Sequence, residues 1–300
     1  MTAARWEAFR ALGAVAGDPA DARSACAALG LPAPGNAEHT EVFVLNCPPY
    51  AAVYLSDDGG LGGDAADRVA GFWRAIGVAP PAEPDHLTAL LSLYASLGQA
   101  AEGTRTKAAA EALTRARLAL FWEHLWPWLP AYLEAVTALE AAAPALAAWA
   151  ALAGRAVRAE RAGHPGGRLP LALRAAPPAL PAGPAPPDLP ALLVTPARSG
   201  LLLTRRCLAA GAVQAGAGHR IGERRFTLRA MLEQAPAGTL RWLRAETARW
   251  ASRHAARAAD APRTGDRDPV QAWWTERARR TEAVLLATAA TAGTDRVRPG

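Results

Sequence analysis

Two carboxylates and an imidazole stand close together in Pro81-Ala82-Glu83-Pro84-Asp85-His86-Leu87. Acidic groups held at a bend suit a guanidinium, because a carboxylate takes the arginine fork in two parallel hydrogen bonds. Asp85 follows a proline and precedes an apolar helical stripe. It is therefore also expected to be the N-cap of the helix that starts there, accepting backbone N–H bonds. Glu83, Asp85 and His86 are the first candidates for a ligand contact, with Pro84 shaping the bend. Tyr50, Tyr54, Phe72, Trp73, His124 and Trp126 are candidates for the walls of an adjoining apolar groove.

Other chemistry finds less support. His39, His86 and His124 show neither HExxH nor HxH spacing, and no metal is expected. There is no GxSxG, and Cys26, Cys47 and Cys207 are far apart without a CxxC pair. Gly59-Gly60-Leu61-Gly62-Gly63 lacks the Lys-Ser/Thr of a phosphate loop and reads as a turn. No catalytic residue and no cofactor is expected. The odd, scattered cysteines and an N-terminus without an apolar h-region point to a reducing cytoplasm.

Charge divides the chain. Residues 1–150 carry 9 basic and 16 acidic side chains, and residues 151–300 carry 24 and 11. The acidic half holds the Glu83–His86 stretch, so a cationic ligand is drawn to it. In the basic half, Arg220, Arg224, Arg225 and Arg229 cluster, and Arg241, Arg244, Arg249, Arg253 and Arg257 run beside Trp242 and Trp250. Arginines interleaved with aromatics allow a nucleic-acid-binding or regulatory function. A solvated helix face explains them more simply, and nucleic acid is not the expected partner. Arg224-Arg225-Phe226-Thr227-Leu228-Arg229 has the look of a twin-arginine export motif. It is internal and no apolar region follows, so its expected role, if any, is to mimic such a peptide in cis.

Apolar residues make up 51% of the chain and β-branched residues are sparse, so the elements that carry these groups are expected to be helices. The predicted class is all-α: a helical bundle, a proline-rich linker and a smaller helical C-terminal part. The segment Trp6–Leu29 reads as helix broken near Gly13 and Gly17, and 41–45 as an extended or helical entry to Pro48-Pro49. Val69, Phe72, Trp73 and Ile76 share a face of a helix from about residue 64, with Gly77 as its C-terminal glycine. Leu87, Leu90, Leu91, Tyr94 and Leu97 mark the next helix, and Leu113, Leu118, Phe121, Trp122 and Leu125 the one after. Pro127 and Pro130 force a break there. The expected domains are a helical core over 1–162, a Pro/Gly-rich linker or surface arm over 163–197, a basic helical part over 198–257 and a weakly ordered tail over 258–300. Within that tail, a helix is possible around Trp273–Leu286. No stretch makes a good membrane span: 135–153 is mostly alanine, broken by Glu140 and Pro144.

The order of motifs resembles a family. Tyr50-x-x-Val53-Tyr54-Leu55 leads to the glycine turn, then to Phe72-Trp73 and Gly77, then to Pro84-Asp85-His86-Leu87, then to Phe121-Trp122-Glu123-His124-Leu125-Trp126-Pro127-Trp128-Leu129. This set is similar to the TorD/DmsD/NarJ redox-enzyme maturation proteins, over about residues 40–160. Glu83 stands closer to the Asp-His pair than in the spaced Glu-x-Pro-x-x-Asp-His form of that family. The resemblance implies a TorD-like all-α chaperone that is not an enzyme. It implies binding of the twin-arginine signal peptide of a molybdopterin oxidoreductase catalytic subunit, held in the cytoplasm for cofactor insertion before export. The chain would be a monomer, or a domain-swapped dimer across the proline-rich hinge.

Overall fold

A computed structural model of the chain describes residues 2–183, 185–218, 222–259 and 268–294. Arg220 lies outside them. The described residues are helical and contain no strand, as the composition implies. The chain divides into two compact units, one of Met1–Leu55 with Gly60–Ala175 and one of Ser56–Gly59 with Ala176–Gly300.

The first unit begins with α1 (Thr2–Ala14) and α2 (Pro19–Ala28), separated at Gly17. Asp18 caps α2 by accepting from the Ala20 amide at 2.8 Å. A short α3 (Asn36–His39) runs into a π-helical segment, Thr40–Asn46, so the entry to Pro48-Pro49 is helical rather than extended. Next come α4 (Ala51–Leu55), α5 (Gly63–Ala75) and α6 (Leu87–Gly103). α5 ends at Ile76 with Gly77 at φ +78°, the left-handed conformation that stops a helix. α7 (Lys107–Leu120) passes into a second π-helical segment, Phe121–Leu125. α8 (Leu129–Thr137), α9 (Pro144–Ala162) and α10 (Leu171–Arg174) follow, with proline in the first turn of α8 and α9.

α6 is the central helix of this unit, packing on α1 and α7. Its apolar stripe of Leu87, Leu90, Leu91, Tyr94 and Leu97 is buried, as its spacing requires. α1 comes so close that a Cβ on Gly98 would lie 2.5 Å from the Trp6 ring. Several polar groups here are joined in one network. Arg5 donates twice to Glu160, Tyr94 donates to the same carboxylate, and Arg117 donates to the Tyr94 hydroxyl at 2.5 Å.

The segment read as linker begins inside this unit. His164 stacks on Trp122 at 5.2 Å, and its Nε2–H donates to the Leu118 carbonyl. Trp122 Nε1–H donates to the Arg168 carbonyl, and the Leu171 amide donates to Glu123. Residues 164–171 thus lie against the second π-helical segment, because backbone groups there are satisfied by side chains of that segment.

The second unit holds α11 (Leu189–Val194), α12 (Pro196–Ser199), α13 (Arg205–Ala215), α14 (Arg224–Gln234), α15 (Pro236–Ala259) and α16 (Pro269–Thr294). The long pair α15 and α16 packs together, and α13 lies on α15. Within 258–300, the helix placed around Trp273–Leu286 is longer than that: α16 occupies 269–294 and buries Val270, Trp274, Ala278 and Leu285. Asp268 starts it, accepting the Val270 amide at 2.9 Å. Its arginine-rich sequence hides this apolar face from a composition count.

His254 is fully buried between Trp250 and Trp274. Its Nε2–H donates to the Gly200 carbonyl at 2.9 Å, and Arg257 bonds Nδ1. Burial first, and then the Arg253 charge, push it down to about 4. Trp242 and Trp250 are buried in this core. The aromatics interleaved with arginines along α15 therefore do not offer faces for base stacking, which weakens the nucleic-acid reading.

Candidate functional site

The glycine turn and the proline-rich link bring the start of α4 beside the start of α6. The strip Pro49–Ala51 pairs with Asp85–Leu87 in one antiparallel bridge. The Ala51 amide donates to the Asp85 carbonyl at 3.1 Å, and the Leu87 amide donates to the Pro49 carbonyl at 2.8 Å. Across this bridge the Tyr50 and His86 rings meet edge to face at 4.7 Å.

Asp85 is 3% exposed. Its Oδ2 accepts the Ala52 amide at 2.9 Å, satisfying one of the orphan amides in the first turn of α4. The expected N-cap role on α6 falls instead to His86, whose Nδ1 accepts the Thr88 amide at 3.2 Å. The reason is the bridge, which turns the Asp85 side chain toward α4. Burial raises the Asp85 pKa above the usual carboxylate range, against the opposing pull of the Ala52 amide. Burial likewise lowers the pKa of His86, and the carboxylates of Glu83 and Asp85 offset this in part.

Glu83 is exposed. Its Oε1 accepts the Tyr50 hydroxyl at 2.9 Å. Burial, then the bond to Glu83, push that hydroxyl up to about 12, so it stays a donor. Among the three titratable groups of the motif, Glu83 is the one that is both held by a hydrogen bond and exposed to solvent. Pro84 is tied down as well, since its carbonyl accepts Trp73 Nε1–H at 3.2 Å from α5.

α5 also carries Phe72, half-buried, whose ring lies 4.9 Å from His124 in the second π-helical segment. π-Helical turns often occur at functional sites. Burial, and then the Arg68 charge, bring His124 down to about 4, so it is neutral near pH 7.

The structure thus unites Tyr50, Glu83, Pro84, Asp85, His86 and Trp73, and sets Phe72 with His124. It does not bring Tyr54 and Trp126 to that surface. Tyr54 stacks on Trp128 at 5.4 Å and is buried, and Trp126 is buried against Phe121. The histidines weighed as a metal set are engaged separately: His39 Nε2–H donates to the Gly17 carbonyl at 2.8 Å, while His86 caps α6. Among the described residues no cluster of His, Cys, Asp or Glu could hold a metal ion. Arg225 and Arg229 pair with Asp188, and Arg224 donates to the Leu203 carbonyl, so the internal Arg-Arg pair is bound within its own unit. Arg68, which the sequence reading did not single out, stands one helical turn before Phe72 and adds its charge to burial in lowering the His124 pKa.

Among the described residues no helix is long and apolar enough to cross a membrane. Residues 32–134, which include every residue of this site, match the family model described as the nitrate reductase delta subunit. No curated protein and no solved structure matches the chain.

Proposed function

From the premise that residues 32–134 belong to the nitrate reductase delta subunit family, a family of redox-enzyme maturation chaperones, we propose that this chain binds the twin-arginine signal peptide of a molybdopterin oxidoreductase catalytic subunit. It holds that subunit in the cytoplasm until its cofactor is inserted, and it works by binding rather than by catalysis.

One observation carries the proposal. The exposed Glu83 carboxylate is oriented by the Tyr50 hydroxyl at 2.9 Å, the half-buried His86 ring packs on Tyr50, and α5, which carries the half-buried Phe72, is tied to the same bend through Trp73 and Pro84. A twin-arginine leader offers guanidinium groups followed by an apolar stretch. A fixed carboxylate accepts the first through charge-assisted bonds, and the ring faces on and near α5 receive the second. Asp85 contributes indirectly: it fixes the Tyr50 strip through the Ala52 amide and is a positioning residue.

Calorimetry with the leader peptide of a candidate client tests this. The whole chain is expected to bind the Arg-Arg peptide. Glu83→Gln should weaken binding by about 10- to 100-fold, the loss of a hydrogen bond to a charged group. Unchanged affinity in folded Glu83→Gln would contradict the site.

A further inference from the structure

The Nδ1 of His86 accepts the Thr88 amide at 3.2 Å. A backbone N–H can only donate, so Nδ1 keeps its lone pair and the proton of the neutral ring sits on Nε2. Burial favours that neutral form. Capping α6 thus fixes the tautomer. The Nε2–H has no acceptor among the described residues, and it is not sealed off, because the ring is half-buried. It belongs to the same surface as the Glu83 carboxylate. The ring packs on Tyr50 at 4.7 Å, and the Tyr50 hydroxyl donates to Glu83 at 2.9 Å. This surface therefore presents a fixed, negatively charged acceptor and a fixed, neutral donor.

We infer that His86 Nε2–H donates to a main-chain carbonyl of the bound leader, beside the arginine that Glu83 takes. The inference rests on the leader-binding reading above and assigns a second contact within it. The chemistry selects the acceptor. An anion is disfavoured, because the Glu83 charge acts on the same ring. A guanidinium has donors and no acceptor, so neither arginine of a leader can bond to Nε2–H. A peptide of arginines and apolar residues then offers its main-chain carbonyls. Glu83 reads the side chain, and His86 holds the main chain from which that side chain projects. Two bonds of opposite sense fix the direction in which the leader lies, which one bond to a side chain does not. His86 is thereby a specificity-determining residue as well as a cap.

The test uses the full chain with histidine labelled at the ring nitrogens and the probe acetyl-Ala-Arg-Arg-Ala-Leu-Leu-amide, with calorimetry to follow saturation. The His86 resonance is assigned by its loss in His86→Ser, whose hydroxyl oxygen still caps α6. In the free chain the proton is expected on Nε2. With the probe bound, the Nε2–H signal is expected to move downfield and to exchange more slowly with water. Esters that replace the probe amides one at a time each weaken one carbonyl acceptor. One of them is expected to lower affinity about 3- to 10-fold, the scale of a neutral hydrogen bond, on the wild type and not on His86→Ser. A probe that saturates the wild-type chain without changing Nε2–H overturns this inference and leaves leader binding standing, whether or not His86→Ser folds. An ester penalty undiminished in folded His86→Ser overturns it as well, and so does a larger Nε2–H response to acetate than to the probe. No binding of the probe by the folded wild-type chain overturns the leader-binding reading and this inference together.

Discussion

The Asp85 carboxylate accepts the Ala52 amide at 2.9 Å, tying the start of α6 to the start of α4. A residue that looks from its neighbours like the cap of its own helix serves α4 instead, two helices earlier in the chain. The same bond explains why Asp85 and Glu83, two positions apart, differ so much in exposure: one is locked inward, and the other projects from the bend beside Tyr50.

Asp85→Ala should therefore cost about 1–3 kcal/mol, because it strands a buried amide. Asp85→Asn should cost much less, since its side-chain carbonyl can accept the same bond without a buried charge. Denaturant unfolding of the two variants checks this. An equal loss in both would mean that the charge, not the acceptor, matters.

The pH dependence of Asp85 follows from its raised pKa. Its protonated form is favoured in the fold, so the stability it contributes is full below the usual aspartate value. That contribution is lost as pH rises through the elevated folded value. The stability difference between wild type and Asp85→Asn should shift in favour of Asn across that window, and stay flat above it. Unfolding free energies measured from pH 3 to 8 read this directly.

His254 gives the opposite sign. Its folded pKa is lowered to about 4, so its contribution is present above its usual value near 6.5 and falls away as pH drops toward 4. Protonation would set an Nδ1–H against Arg257, with Trp250 and Trp274 enclosing the ring. Near-ultraviolet circular dichroism of the tryptophans should change between pH 6.5 and 4. His254→Gln should be less stable at pH 7 and less sensitive to pH over that range.

Much of this was legible in the sequence, and the exceptions have physical causes. The apolar stripe of α6, the stop at Gly77 and the break at Pro130 are local signals, and the helices follow them. Glu83, Asp85 and His86 were visible as a group for the same reason. Their division of labour was not visible, because it depends on Pro49–Ala51 pairing with Asp85–Leu87 across more than thirty residues. Tyr54 and Trp126 looked like groove aromatics because sequence shows size and not direction. The packing of Tyr54 on Trp128 is a tertiary fact. α16 was underestimated because its arginines mask the buried Val270, Trp274 and Leu285.

Gly200 is a further case of tertiary demand. Its φ is +74°, and a Cβ would fall 2.6 Å from the Ala278 amide nitrogen of α16. Gly200→Ala should destabilise the second unit by at least ~2 kcal/mol through strain and overpacking. Thermal unfolding followed by tryptophan fluorescence checks it. A wild-type melting curve would contradict the packing described for His254 and its carbonyl partner.

The central claim is that Glu83 reads a leader arginine, and a double-mutant cycle by calorimetry tests it most directly. The four titrations pair wild type and Glu83→Gln with a leader peptide carrying Arg-Arg or Gln-Gln. The expected coupling is about 1–3 kcal/mol, the scale of a charge-assisted hydrogen bond. Losses that simply add, or no binding of the Arg-Arg peptide by the folded wild-type chain, would contradict the account.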